Sequence, residues 1–221
     1  MVNDYFLNIG TSEFIKIHRC WIRPNRRLRC QDQGYCGILN YDTHCAYFVL
    51  KGIQVSNTPG AVDDGTATTA LYLLIATVRQ YTRAELSARA RTWKNGLKPA
   101  HDPSALTLGI LGLGGIGLRF AKMCHALPMK KIMYHNRKPV EGAPEWLEYY
   151  PKGRLAEMLH QTDVLSVHVP LKSDTEGLVD EKMIRTLKKG AIIINTARGK
   201  VIDEDALIRA LEDGQARLSI E

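Results

Sequence analysis

Apolar positions in the chain from residue 107 onward fall into short continuous runs, separated by stretches with helical spacing. Runs of about five apolar residues bounded by turn residues predict buried strands. The predicted strands are Ile53–Ser56, Thr107–Leu111, Lys131–His135, Val164–Val169, Ala191–Asn195 and one that begins at Leu218. Strands that alternate with helices form a parallel sheet covered on both faces. The pattern therefore predicts an α/β fold, a doubly wound parallel sheet of the Rossmann type.

The stretches between these runs predict helices whose first residues are marked by aspartates. Asp63 or Asp64 is expected to cap a long helix that continues to about Tyr81. Asp180 and Asp203 are expected to cap two later helices that end near Leu187 and Glu212. The other predicted helices cover Arg83–Trp93, Gly115–Leu127 and Leu155–His160. The first ~50 residues show no clear period and predict no regular element.

A glycine pattern follows the first strong strand. Leu108–Gly117 reads LGILGLGGIG, so Gly112, Gly114 and Gly117 fit G-x-G-x-x-G. The pattern alone is weak, but here it links a predicted strand to a predicted helix, as dinucleotide binding requires. The helix N-terminus offers free N–H groups to a pyrophosphate. We expect Gly115 and Ile116, in the same loop, to contact the cofactor as well.

The strand Lys131–His135 ends without an acidic residue. An Asp or Glu at this place would bind both ribose hydroxyls of NAD. Asn136, Arg137 and Lys138 follow instead. Arginine binds a phosphate through two N–H groups, and lysine adds a positive charge. The sequence therefore predicts that NADP(H) is preferred over NAD(H), which can also bind; the alternative is that Arg137 and Lys138 are solvated loop charges.

A polar segment follows the strand Ala191–Asn195. Together with Asn195 it reads NTARG. Thr196, Ala197 and Arg198 would lie at the carboxyl end of the sheet, where open α/β sheets bind ligands. An arginine presented there can hold a substrate carboxylate or carbonyl.

Composition adds little to this picture. The chain has 221 residues and a net charge of +7, with arginines concentrated between Arg19 and Arg29. That cluster lacks interleaved aromatic residues, so we interpret it as a solvated segment rather than a nucleic-acid site. The cysteines between Cys20 and Cys45 lack the close pairing of zinc ligands, so no metal is predicted. The sequence shows no apolar run of membrane-spanning length, no membrane partner is expected, and a cytoplasmic location is the default.

Four segments in the same order resemble the D-isomer-specific 2-hydroxyacid dehydrogenases. They are VSNTPGAVDD, LGILGLGGIG, DVLSVHVPL and NTARGKVIDEDAL, and the resemblance covers about Gly52–Arg217. Within the family, the chain is most similar to the glyoxylate/hydroxypyruvate reductase branch. The resemblance implies reduction of a small 2-keto acid by hydride transfer from NAD(P)H.

The resemblance also implies roles for individual residues. Arg198 corresponds to the catalytic arginine, which binds the keto oxygen and the carboxylate. Val169 and Pro170 would lie beside the cofactor, and Thr196 and Ala197 would line the nicotinamide side. Residues 63–93 match the segment through which family members form two-fold dimers, so a homodimer is expected.

The chain departs from the family pattern at both ends. The family's catalytic Glu and His lie beyond the position of Glu221, and Gly37–Asp42 lacks the flanking glycines of the substrate loop. We therefore expect residues 1–58 to be a remnant of the substrate-binding domain. Residues 59–221 are expected to form a dinucleotide-binding domain without its last strands. The alternative to an active reductase is a catalytically crippled module that binds NADP(H).

Overall fold

The computed structural model describes residues 5–8, 14–17, 60–93, 96–97 and 99–220. Contacts divide the chain into two units, Met1–Ala61 and Val62–Glu221. In the first unit, strands β1 (Tyr5–Asn8) and β2 (Phe14–Ile17) pair in antiparallel fashion. Several predictions fall outside the described residues. They are the strand Ile53–Ser56, the arginine cluster, the cysteine cluster and the Gly37–Asp42 loop.

The second unit contains one sheet of six parallel strands. The strands are β3 (Thr107–Leu111), β4 (Lys131–His135), β5 (Leu147–Tyr150), β6 (Val164–Val167), β7 (Ala191–Asn195) and β8 (Ala216–Ile220). Their order across the sheet is β5-β4-β3-β6-β7-β8. From β3 the crossovers lead outward to β5, and from β6 they lead in the opposite direction to β8. The place between β3 and β6 is therefore a topological switch point, where a ligand crevice opens at the carboxyl ends of the strands. The predicted doubly wound parallel sheet is confirmed.

Helices cover both faces of the sheet. They are α1 (Asp63–Arg79), α2 (Tyr81–Arg89), α3 (Gly115–Ala126), α4 (Leu155–Gln161), α5 (Glu181–Thr186) and α6 (Glu204–Glu212). One apolar core contains Leu74, Phe120 and Ile110, from α1, α3 and β3. The other contains Met158 and Ile193. Burial on both faces explains why the strands read as continuous apolar runs instead of alternating ones.

Two predicted helix caps are confirmed. The side chain of Asp180 accepts a hydrogen bond from Met183 N at 2.8 Å, and that of Asp203 accepts one from Ala206 N at 3.0 Å. The cap predicted for α1 is wrong. Val62 is the N-cap and makes no side-chain cap bond.

The limits of several elements differ from the prediction. Helix α1 ends at Arg79 because Gln80 adopts a left-handed conformation with φ 55°, and α2 then begins at Tyr81. The predicted strand Val164–Val169 ends at Val167, so His168 follows it. Strand β5 was not predicted, because its four residues lie within a segment rich in turn residues.

Candidate functional site

The glycine loop, Gly112–Gly117, links β3 to α3 and is packed too tightly for a side chain at Gly112 or Gly117. Gly112 has a φ of 96°, a conformation that L-residues rarely adopt. A Cβ on Gly112 would lie 2.9 Å from Val169 Cγ1 and 3.0 Å from Val169 N. A Cβ on Gly117 would collide with the carbonyl oxygen of Gly112. The glycines therefore let the loop approach both α3 and the end of β6.

Two amides of this loop already donate hydrogen bonds to the last residue of β4 and to the residue after it. Gly112 N donates to His135 O at 3.0 Å, and Leu113 N donates to Asn136 Oδ1 at 3.1 Å. The next amides open α3 and have no intrahelical acceptor. Gly115, Ile116 and Gly117 therefore present N–H groups at a helix N-terminus, which is the arrangement that binds a phosphate. Asn136, a predicted cofactor contact, uses its carbonyl oxygen to hold this loop.

Helix α1 packs against the glycine loop. Asp63 packs against Gly115 so closely that a Cβ there would overlap its carboxylate. Arg119 of α3 forms an ion pair with Asp64 at 2.7 Å and lies 3.8 Å from Asp63. These contacts fix α3 relative to α1. No sequence pattern indicated the Arg119 pair, since 55 residues separate its partners.

The segment after β4 is held by the two tyrosines at the end of β5. His135 Nδ1 lies 2.7 Å from Tyr150 O, and Tyr149 Oη donates to Asn136 O at 3.2 Å. Arg137 follows with its side chain 84% exposed, and one guanidinium nitrogen lies 3.6 Å from Asp174 Oδ2. Lys138 is also exposed. The basic side chains thus extend from a segment whose backbone is fixed.

The end of β7 is organised by the side chain of Asn195. Its Nδ2 donates to Arg198 O at 3.0 Å, and its Oδ1 accepts from Ala197 N at 3.0 Å. The guanidinium of Arg198 is exposed and donates to Ala197 O at 2.6 Å. Thr196 Oγ1 is buried and has no hydrogen-bond partner among the described residues. A buried polar atom without a partner is rare, and a bound ligand group would satisfy it.

The end of β6 lies beside the glycine loop. His168 N donates to Leu111 O at 2.8 Å, which places Val169 against Gly112. The His168 ring is 2.8 Å from Ser166 Oγ and 5.4 Å from the Phe120 ring. Burial lowers the pKa of His168 to about 4, so the ring is neutral at neutral pH. His168 is therefore a packed residue and not a general acid, because at neutral pH its ring lacks the imidazolium proton that a general acid donates.

These features fit a bound dinucleotide. The topological switch point between β3 and β6 lies at the glycine loop. The first amides of α3 are located there, and Thr196, with its buried Oγ1, lies at the same edge of the sheet. No group of metal ligands occurs among the described residues, and no helix in that part of the chain is long and apolar enough to span a membrane. The fold and the site define a Rossmann-type, dinucleotide-binding protein.

The comparisons with known proteins identify the family. Residues 71–219 match the family described as D-isomer specific 2-hydroxyacid dehydrogenase, NAD binding domain. The chain belongs to this family, and its NAD-binding domain covers most of the second unit. The resemblance inferred from the motifs is confirmed.

Individual relatives agree with this assignment. The chain is 44% identical over 173 residues to the dehydrogenase efuE of Hormonema carpetanum, covering 77% of this chain and 42% of that protein. It is 39% identical over 169 residues to the 4-methyl-2-oxopentanoate reductase A of Aspergillus oryzae, covering 75% and 49%. A crystal structure of a glyoxylate reductase from Paecilomyes thermophila superposes with a TM-score of 0.72 at 38% identity, covering 80% and 54%. The chain spans about half the length of these relatives.

The structure brings together only some of the predicted site residues. Gly112, Gly117, Asn136 and Val169 are in contact through the glycine loop. Arg198 lies with Thr196 and Ala197 at the end of β7, on the same edge of the parallel sheet. Asp174 was missed, because it lies in a loop without a recognisable motif.

Proposed function

We propose that this chain forms the cofactor-binding part of an NAD(P)H-dependent reductase for a small 2-keto acid such as glyoxylate or hydroxypyruvate. The main support is the shared edge of the sheet. The α3 amides and Arg198 both follow carboxyl ends of parallel strands, so a dinucleotide bound at the first would extend towards the second. The names of the relatives, which include a glyoxylate reductase, agree with this substrate class.

The residues have distinct roles in this proposal. The amides of Gly115, Ile116 and Gly117 bind the pyrophosphate. Thr196 and Ala197 line the nicotinamide side, and Thr196 Oγ1 donates its unused hydrogen bond to a cofactor group. The nicotinamide, when bound, supplies the hydride.

In this proposal the substrate is bound by Arg198, which is exposed at the end of β7. Arg198 holds the carboxylate and the keto oxygen of the substrate and stabilises the negative charge that develops on that oxygen. Val169 and Pro170 present backbone beside the cofactor and exclude water from it.

The alternative is a module that binds NADP(H) without turnover. It is supported by the histidines of the described residues: none lies in the Arg198 loop, and His168 is neutral. Two measurements on the purified chain separate the proposals. NADPH fluorescence on titration reports binding, and NADPH oxidation with glyoxylate or hydroxypyruvate reports turnover. Turnover supports the reductase, binding alone supports the module, and a chain that binds neither NADPH nor NADH contradicts both.

We further propose that NADP(H) is preferred through Arg137. Replacing Arg137 by Asp should weaken NADPH binding about 10- to 100-fold, because a charge-assisted hydrogen bond to the 2′-phosphate is lost and repulsion replaces it. NADH, which lacks this phosphate, should change by less than about threefold. Dissociation constants from fluorescence titration check both values. Lys182→Asp, an equal charge change on exposed α5, is the control, and an unchanged NADPH-to-NADH ratio in Arg137→Asp would disprove the assignment.

We also propose a homodimer formed through α1 and α2. These helices expose large apolar side chains, with Tyr72 63%, Tyr81 55% and Leu86 61% exposed. Leu86→Glu should shift the mass in light scattering at micromolar concentration from dimer to monomer, since a buried carboxylate is costly. Ile208→Glu changes an exposed apolar residue on α6 and should leave the mass unchanged. A monomeric mass for the unmodified chain would contradict the proposal.

A further inference from the structure

The loop after β6 brings a carboxylate to the arginine that is proposed to hold the 2′-phosphate. Arg137 Nη1 lies 3.6 Å from Asp174 Oδ2. Arg137 follows β4 and Asp174 follows β6, and β3 lies between these two strands in the sheet. The ion pair therefore bridges the two loops across the end of β3, where the glycine loop begins.

The turn that carries Asp174 has its own hydrogen bonds. Thr175 Oγ1 accepts from Lys172 N at 2.7 Å and donates to Pro170 O at 2.6 Å. Thr175 N also donates to Lys172 O at 3.1 Å. The turn that carries Asp174 is thus tied to Pro170, a predicted cofactor-binding residue.

We propose that Asp174 is a specificity-determining residue that limits the preference for NADP(H) over NAD(H). The proposal rests on the NADP(H) assignment of the same site. In the protein without nucleotide, Asp174 neutralises Arg137. A 2′-phosphate must compete with this carboxylate for the Arg137 guanidinium, whereas a ribose 2′-hydroxyl carries no charge and does not depend on that guanidinium. Asp174 therefore weakens NADPH binding and leaves NADH binding nearly unchanged.

The size of this effect is limited by solvent. The two side chains are 84% and 58% exposed, and exposed ion pairs contribute little. Asp174→Asn, which keeps the shape and removes the charge, should tighten NADPH binding about two- to fivefold. The dissociation constant of NADH should stay within about 1.5-fold. The gain should shrink at high salt, because salt screens exposed charges.

A matched control comes from the same loop. Glu176 is two residues away, and its Oε1 lies 3.5 Å from Lys200 Nζ. Glu176→Gln makes the same change in net charge without affecting Arg137, so its NADPH-to-NADH ratio should equal that of the unmodified chain. If Glu176→Gln tightened NADPH binding as much as Asp174→Asn does, the effect would come from net charge alone, and the proposal would be overturned.

A double-mutant cycle tests whether Asp174 acts through Arg137. In an Arg137→Gln background, Asp174→Asn should lose most of its gain. An undiminished gain there, or an unchanged nucleotide ratio in Asp174→Asn alone, overturns the role of Asp174. A loss of NADH binding in Asp174→Asn also overturns it, since the carboxylate would then bind the cofactor directly. If the unmodified chain binds NADPH no better than NADH, the NADP(H) assignment fails first and the inference falls with it.

Discussion

Replacing Gly112 by Ala should strongly weaken nucleotide binding and destabilise the fold. The residue has a φ of 96°, and a Cβ would lie 3.0 Å from the backbone carbon of His168 and from Val169 N. A residue forced into such a conformation costs about 1–3 kcal/mol, and the contacts come from backbone that cannot rotate away. Relaxing the clash would move the amides of Gly115 to Gly117, so we expect NADPH affinity to fall on the order of 100-fold.

The measurements are urea unfolding and fluorescence titration with NADPH. Gly65→Ala is the matched control, because Gly65 lies in α1 and a Cβ added there would meet nothing within 4 Å. That change should leave nucleotide binding intact and stabilise the helix by about 0.5–1 kcal/mol. A Gly112→Ala protein with normal stability and normal affinity would show that the loop does not hold the pyrophosphate.

Replacing Arg198 by Gln should lower kcat/KM for the 2-keto acid by about 10²–10³, while the dissociation constant of NADPH stays within about twofold. The side chain is exposed at the end of β7, and the loop is held by Asn195 through the backbone of Ala197 and Arg198. Glutamine keeps these backbone bonds and removes the charge. Loss of one group that stabilises developing negative charge costs a factor of this size.

Steady-state NADPH oxidation with glyoxylate measures this effect. Arg198→Lys keeps the charge but loses the planar fork, so its rate should lie between those of the arginine and glutamine forms. Lys200→Gln, two residues away, should leave kcat/KM unchanged. If the chain binds NADPH without turnover, oxalate should still perturb the fluorescence of bound NADPH, and Arg198→Gln should remove that perturbation. An Arg198→Gln protein with normal turnover or a normal oxalate response would exclude the arginine as substrate ligand.

The elements that the sequence predicts best are those with strong local signals. The limits of β3, β4 and β7 were predicted at the residues where the structure has them, because each is a short apolar run between turn residues. The caps Asp180 and Asp203 are also local, since each accepts a hydrogen bond from an amide three residues later.

Elements that depend on distant contacts were missed. Strand β5 has four residues, and only its pairing with β4 makes it a strand. The two aspartates that begin α1 were expected to cap that helix. Instead, Asp64 pairs with Arg119 of α3, and Asp63 lies next to it. The Asp64 carboxylate pairs with a positive charge 55 residues away, which no local pattern can reveal.

The sequence by itself determined the fold class, the glycine loop, the basic segment after β4 and the family, because all of these depend on residue types at fixed short spacings. Only the tertiary structure decided how the site is supported. It showed that Asn136 holds the glycine loop, that Tyr149 and Tyr150 of β5 hold the segment before Arg137, and that Asp174 reaches this arginine. These contacts join residues from different crossovers, and their partners become neighbours only when the parallel strands align their carboxyl ends at one edge of the sheet.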